Sequence, residues 1–85
     1  MPDPRNQLAQ LDESLTDFGG ADAVPANLGD VFNALLAEAK EERGEDPVVA
    51  AIDPVGKTFE GSDFADIEVR SLRALVAQLL TALES

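Results

Sequence analysis

The segment Ala51-Ile52-Asp53-Pro54-Val55-Gly56-Lys57-Thr58 fits a sequence pattern with a known chemistry. The pattern is a relaxed phosphate-binding loop in which alanine replaces the first glycine. In such a loop backbone N–H groups surround the phosphates, Lys57 would neutralise charge and Thr58 would hold magnesium. Two features argue against it: Pro54 removes an N–H from the loop, and residues 59–62 separate Lys57 from the next predicted helix. Nucleotide binding through residues 51–58 is therefore the weakest of three hypotheses.

The composition excludes several other common chemistries. The chain contains no cysteine and no histidine. Zinc sites built from Cys and His, and the usual nucleophile–base pairs, are therefore absent. The seventeen Asp and Glu residues fall at predicted caps, turns or polar helix faces, so no pair is marked as an acid–base couple by an apolar setting. We expect a non-enzymatic protein with no cofactor and no metal ion.

The chain is strongly acidic, with seventeen acidic residues against six basic ones and a net charge of −11. The excess is spread along the whole chain instead of forming a tail. Such a surface repels phosphate backbones and anionic lipids, so we expect no direct nucleic-acid partner and no membrane partner. Because Lys40 and Lys57 are the only lysines, adaptation to high salt is one interpretation. Self-repulsion that keeps the protein soluble and a basic partner are the others.

The length of 85 residues predicts one small domain, 1–85, in which 1–20 could form a semi-independent N-terminal helix. No apolar stretch of the chain is close to the length of a membrane span, which needs roughly 20 consecutive apolar residues. The first residues lack the basic and apolar regions of a signal peptide. We therefore expect a cytoplasmic protein, or one within a particle assembled in the cytoplasm.

Two amphipathic helices are predicted in the first half of the chain, over about residues 4–18 and 25–43. Asp3 can cap the first helix, with Pro4 as its first residue. Its narrow apolar stripe consists of Leu8, Leu11, Leu15 and Phe18. The second helix begins at either Pro25 or Asp30. Its apolar positions are Leu28, Val31, Phe32, Leu35, Leu36 and Ala39.

Residues 45–61 have two competing interpretations. Residues 48–52 are apolar and partly β-branched, and Asp53-Pro54-Val55-Gly56 has type I turn chemistry. Together with the alternating residues 57–60, they predict a β-hairpin over about 48–60. The competing interpretation is one helical turn that uses Asp46 as N-cap and Pro47 as its first residue, and that ends before Pro54. We favour the hairpin.

The third predicted helix, over about residues 62–83, has the clearest pattern. Ser62 or Asp63 can cap it, and Asp66 and Arg70 are spaced for an ion pair. Its a/d positions are Ala65, Val69, Leu72, Val76, Leu79 and Leu83. Leu75 and Leu80 widen this stripe.

The apolar stripes can form a core within one chain or an interface with another. Because the narrow first stripe and the broad last one do not match as a self-contained set, we expect association, most simply a homodimer. The expected interface residues are Leu72, Leu75, Val76, Leu79, Leu80 and Leu83, with Leu8, Leu11 and Leu15 as a secondary seam.

The sequence thus predicts a mainly α fold: three helices with a short β-hairpin between the second and third. The predicted function is protein–protein association or assembly, either by self-association or by docking to a larger complex as a structural or connector component. The first alternative is an acidic regulatory protein that binds a basic site on its partner, as an antitoxin or nucleic-acid mimic would.

Overall fold

The computed structural model describes residues 4–57 and 59–84, which contain four helices and two short strands. In chain order the elements are α1 Pro4–Leu15, β1 Ala23–Pro25, α2 Ala26–Arg43, α3 Pro47–Ala51, β2 Phe64–Glu68 and α4 Val69–Glu84. The prediction of a mainly helical chain with a small antiparallel pair of strands is confirmed. The predicted count of three helices is wrong. The roles predicted for Asp3 and Thr58 lie outside the described residues.

Helix α1 ends at Leu15 and not at residue 18, where we predicted its end. The N–H groups of residues 16–18 bond three residues back instead of four, so the helix tightens into a turn. A further turn follows, in which the Asp22 carboxylate accepts from the Gly19 N–H at 2.9 Å. Phe18 is therefore placed beyond the buried stripe and is partly exposed.

The two strands pair antiparallel although they are far apart in sequence. Ala23 lies opposite Glu68 and Pro25 opposite Phe64, with an irregular register between. On the other side of β2, Lys57 forms an isolated bridge with Ala65. Pro25 is tolerated because β1 lies at the edge of this small sheet.

Residues that directly precede the two strands accept hydrogen bonds from the first N–H group of each of the two longest helices. The Ala26 N–H at the start of α2 donates to the Asp63 carbonyl at 2.9 Å. The Val69 N–H at the start of α4 donates to the Asp22 carbonyl at the same distance. Backbone carbonyls thus bind N–H groups that a side-chain cap would otherwise satisfy.

The β-hairpin predicted over 48–60 does not form at that position. Residues 47–51 form helix α3 instead, which is the competing interpretation. The Asp46 carboxylate caps α3, and Pro47 is its first residue. This local start signal outweighs the β-propensity of Val48 and Val49.

Helix α4 begins at Val69 and not near residue 62, because residues 64–68 belong to β2. Ser62 does not cap a helix. Its hydroxyl accepts from the Phe64 N–H at 3.1 Å just before the strand. The predicted pair of Asp66 with Arg70 is also wrong: Arg70 pairs with Glu68 at 3.1 Å.

Helix α1 packs against α2 and α4, and α3 also packs against α2 and α4. The buried apolar residues form a single cluster to which every element contributes. Its members are Leu8, Leu11, Leu15, Val24, Phe32, Leu35, Leu36, Ala39, Val49, Ile52, Ala65, Val69, Leu72, Val76, Leu79, Ala82 and Leu83.

A candidate docking groove between α3 and α4

Helix α3 is short and has apolar side chains on both its sides. Val49 and Ile52, three residues apart, are buried against the core. Val48 and Ala51, also three apart, point away from it and are exposed. Val48 keeps 43% of its accessible surface. Because a one-turn helix cannot bury a continuous apolar run, part of this run must face solvent.

The neighbouring face of α4 forms the opposite wall of a groove. Leu75 is half-buried there, and Gln78 is exposed. Two neighbouring cavities, of about 550 Å³ and 470 Å³, are both lined by Val48 and Gln78, so we describe them together as one depression. We call this depression the α3–α4 groove. Its lining residues are Asp46, Pro47, Val48, Ala51, Ile52, Asp53, Leu75, Ala77, Gln78, Thr81 and Ala82.

The charge at the α3–α4 groove is negative. Asp46 and Asp53 lie at the two ends of α3. No Lys or Arg is among the described residues that line the groove. Arg43 lies behind one wall, where its guanidinium donates to the Ala82 carbonyl at 3.5 Å. The groove therefore combines an apolar floor with acidic ends.

A loop anchored to α2 holds the far end of α3 in place. The Asn33 side chain accepts from the Val55 N–H at 2.7 Å and donates to the Val55 carbonyl at 2.8 Å. This pair of bonds mimics the pairing between two strands, and it is partly buried. Asn33 thus anchors Val55, in the loop that follows α3, to α2.

The structure places most of the predicted interface residues in the core of the chain. Those that are buried there are Leu8, Leu11, Leu15, Leu72, Val76, Leu79 and Leu83. Only Leu75 and Leu80 among the nine keep partial exposure and pack at the margin of the core. Leu75 alone of the nine lines the α3–α4 groove.

Sequence reasoning missed Val48 as a candidate functional residue. The signal was present: the run Pro47-Val48-Val49-Ala50-Ala51-Ile52 is apolar on every face if it is helical. We assigned the run to a strand, in which alternate residues would have been buried. Phe59, Phe64 and Val31 are also exposed but do not line the groove.

A further concavity of about 440 Å³ lies beside the sheet. Its lining is mainly alanine and polar residues, namely Ala21, Ala23, Ala65, Asp66, Ile67, Glu68 and Ser71. It offers fewer large apolar side chains than the α3–α4 groove, so we regard the groove as the better candidate site.

The 51–58 segment does not adopt the geometry of a phosphate loop in its described part. The Val55 N–H, which would have to face a phosphate, donates to Asn33 instead. Gly56 offers its carbonyl to the Asp66 N–H at 2.8 Å. Lys57 is bridged to β2 and does not begin a helix. The Val55 N–H and the Gly56 carbonyl are therefore directed into the fold.

The acidic side chains of the described residues lie on the surface or at its margin. None of these carboxylates is buried. Among residues 4–57 and 59–84, no group of three or more is arranged to hold a metal ion. In this same part of the chain, Ser62 is the only buried polar residue, and its hydroxyl is hydrogen-bonded.

Comparisons of the chain with protein-family models, with curated proteins and with solved structures gave no match. Within the described residues, no helix has both the length and the apolar character that a membrane crossing requires.

Proposed function

We propose that this protein is a non-enzymatic association module that docks a segment of a partner protein in the α3–α4 groove. One observation carries the proposal: Val48 and Leu75 leave apolar surface open in a concavity, whereas seven of the nine predicted interface residues are buried in the core of the chain. Apolar concavities of this kind are typical of interaction sites.

Burial of the groove would stabilise a complex by about 25 cal/mol for each Å² of apolar surface removed from water. The cost of docking is reduced because the core holds both walls in place. Val49 and Ile52 anchor α3, and Leu72 and Leu79 anchor α4. A partner would therefore meet a preformed surface.

Docking to a partner is preferred here over self-association. Our expectation of a dimer relied on a mismatch between a narrow stripe on α1 and a broad one on α4. In the structure α1 buries its stripe against α2 and α4, so no second copy is needed to cover it. A role as a structural or connector component of a larger complex agrees with this arrangement.

The proposal also includes the cytoplasm as the location and excludes nucleic acid and membrane as direct partners. A small chain without cysteine is more typical of a reducing compartment than of secreted, disulfide-rich domains. The net charge of −11 opposes binding to phosphate backbones and anionic lipids.

An acidic regulatory protein is the second candidate, and the acidic ends of the groove at Asp46 and Asp53 favour it. In that case surface charge and not apolar contact would supply the affinity. The two differ in salt dependence. At about 0.5 M salt, where the Debye length is roughly 4 Å, charge-driven binding should collapse and groove docking should persist.

Site-specific photo-crosslinking in the producing cells tests the docking proposal. The chain offers a matched pair of positions, Val48 in the groove and Val31 on α2, which are 43% and 44% exposed. We expect a crosslinker at position 48 to give an adduct with one partner protein, and the same crosslinker at position 31 to give none. Equal adducts from both positions, or none from position 48, would contradict the proposal.

A further inference from the structure

We infer that the segment that occupies the α3–α4 groove is a cationic amphipathic helix of about two turns from a partner protein. The inference rests on the proposed docking function and adds the chemistry of the partner. It follows from the secondary structure of the walls, the length of the groove and the charge at its ends.

The walls favour a helix over an extended peptide. Both are helices: α3 is a single short turn, and the interior backbone groups of the longer α4 bond within that helix. An added strand would need an open row of backbone donors and acceptors, which helical walls do not offer. Apolar side chains from one face of a helix can instead enter the depression between Val48 and Leu75.

The length of the groove limits the length of the occupant. The lining residues of α4 run from Leu75 to Ala82. At 1.5 Å per residue these seven steps span about 10 Å, which is about two turns of a helix packed alongside. The contact segment is therefore short, with apolar residues at positions i, i+3 or i+4, and i+7.

The negative charge at the ends of the groove determines which flanking residues of the occupant would bind favourably. Asp46 and Asp53 lie at opposite ends of α3, and Glu45 is exposed beside Asp46. No described lining residue carries a positive charge that would repel a cation. Lysine or arginine on either side of the apolar positions would complement these carboxylates, whereas an acidic segment would be repelled.

A second copy of this chain fits the groove less well. Each copy carries a net charge of −11, so two copies repel one another. Arg70 and Arg73 on α4 are engaged by Glu68 and Asp12 of the same chain. The groove has eleven lining residues, fewer than the roughly 20 to 30 per partner of a stable dimer.

Calorimetric titration with two designed peptides tests the inference. Both have roughly four turns, the length at which isolated helices become marginally stable, and both carry leucine at the same heptad positions. One has lysine at the flanking positions and the other has glutamate. We expect the lysine peptide to bind the wild-type protein with one-to-one stoichiometry, and the glutamate peptide to show no binding heat.

Four variants locate the binding. Val48→Asp should abolish binding of the lysine peptide, and the matched Val31→Asp should leave its affinity unchanged. The double variant D46N/D53N removes two charges, and asparagine keeps the cap of α3. It should weaken the affinity by roughly tenfold, while Asp17→Asn in the turn after α1 should have no effect. Circular dichroism confirms that each variant is folded.

The outcomes separate this inference from the proposed function. If the glutamate peptide binds as well, or if D46N/D53N leaves the affinity unchanged, the occupant is not selected by charge and the inference fails, although groove docking stands. Self-association of the free protein that Val48→Asp abolishes would make the occupant a second copy. If neither peptide binds, or if Val48→Asp and Val31→Asp have equal effects, both the inference and the proposed function are overturned.

Discussion

The two sides of α4 carry similar residues but are used differently. On the side that packs into the core, Leu72 and Leu79 are fully buried. On the side that faces α3, Leu75 is half-buried and borders an open groove. Helix α4 packs against α1, which has 12 residues, and against α3, which has only five, so α3 can cover less of its surface. The two helices, α1 and α3, are therefore about 18 Å and 8 Å long.

The comparison shows that an apolar stripe does not by itself indicate an interface. The stripe of α4 is wide because the helix serves two neighbours within the chain. The surface left for a partner depends on how far the second neighbour, α3, extends along α4. Changes on the two sides of α4 should therefore have different consequences.

The largest difference is expected between Leu72→Ala and Leu75→Ala. Leu72 is fully buried, so its truncation should lower the free energy of unfolding by about 2–5 kcal/mol through a cavity. Leu75 is half-buried, so the same change should cost about 1 kcal/mol or less. Chemical denaturation followed by circular dichroism measures both, since the chain has no Trp or Tyr. Equal costs would mean that the two sides of α4 are not differently packed.

The next effect concerns the anchor of the loop after α3. Asn33→Ala removes both bonds to Val55 and leaves partly buried backbone groups without partners. We expect a loss of about 1–3 kcal/mol in the free energy of unfolding. Asn27→Ala is the control, because Asn27 is exposed on the same helix. A loss as small as that of the control would show that the loop is held by other contacts.

A smaller effect is expected at the cap of α3. The Val48 N–H donates to the Asp46 carboxylate at 2.8 Å, so Asp46→Ala should cost about 1 kcal/mol. Amide hydrogen exchange at Val48 and Val49 should accelerate because α3 frays. Asp46→Asn keeps a capping oxygen and should leave the exchange nearly unchanged. Identical exchange in the two variants would argue against the capped helix.

The smallest effect is expected for the ion pair between α1 and α4. The Arg73 Nε lies 2.9 Å from the Asp12 Oδ1, and the two side chains are 46% and 37% exposed. A double-mutant cycle of Arg73→Ala with Asp12→Ala should give a coupling energy of about 0.2–1 kcal/mol that declines as salt is added. A larger, salt-independent coupling would indicate that the pair helps to hold α1 in place.

The sequence predicted those elements whose signals are local. The bounds of α2 match the prediction over 25–43 to within one residue. The a/d pattern from Val69 to Leu83 correctly indicated the body of α4. These segments are long and periodic, so several residues in each of them indicate the same structure.

The strand pairing and the groove depend on contacts between residues that are distant in the sequence, and no local pattern indicates such contacts. Ala65 fits both the heptad pattern of a longer α4 and the alternation of a strand, and its partner strand lies about 40 residues earlier. Strand β1 has only three residues and ends with Pro25. The groove could not be foreseen either, because it requires knowing that α3 is a helix and that it packs beside Leu75 and Gln78.

Methyl-resolved NMR during titration with the lysine peptide is the most direct test of the α3–α4 groove as the docking surface. We expect the methyl signals of Val48 and Leu75 to shift with a saturable profile, while those of Val31, Leu8 and Leu15 stay in place. Shifts at Leu8 and Leu15 without shifts at Val48 would contradict the claim, because docking would then require α1 to leave the core.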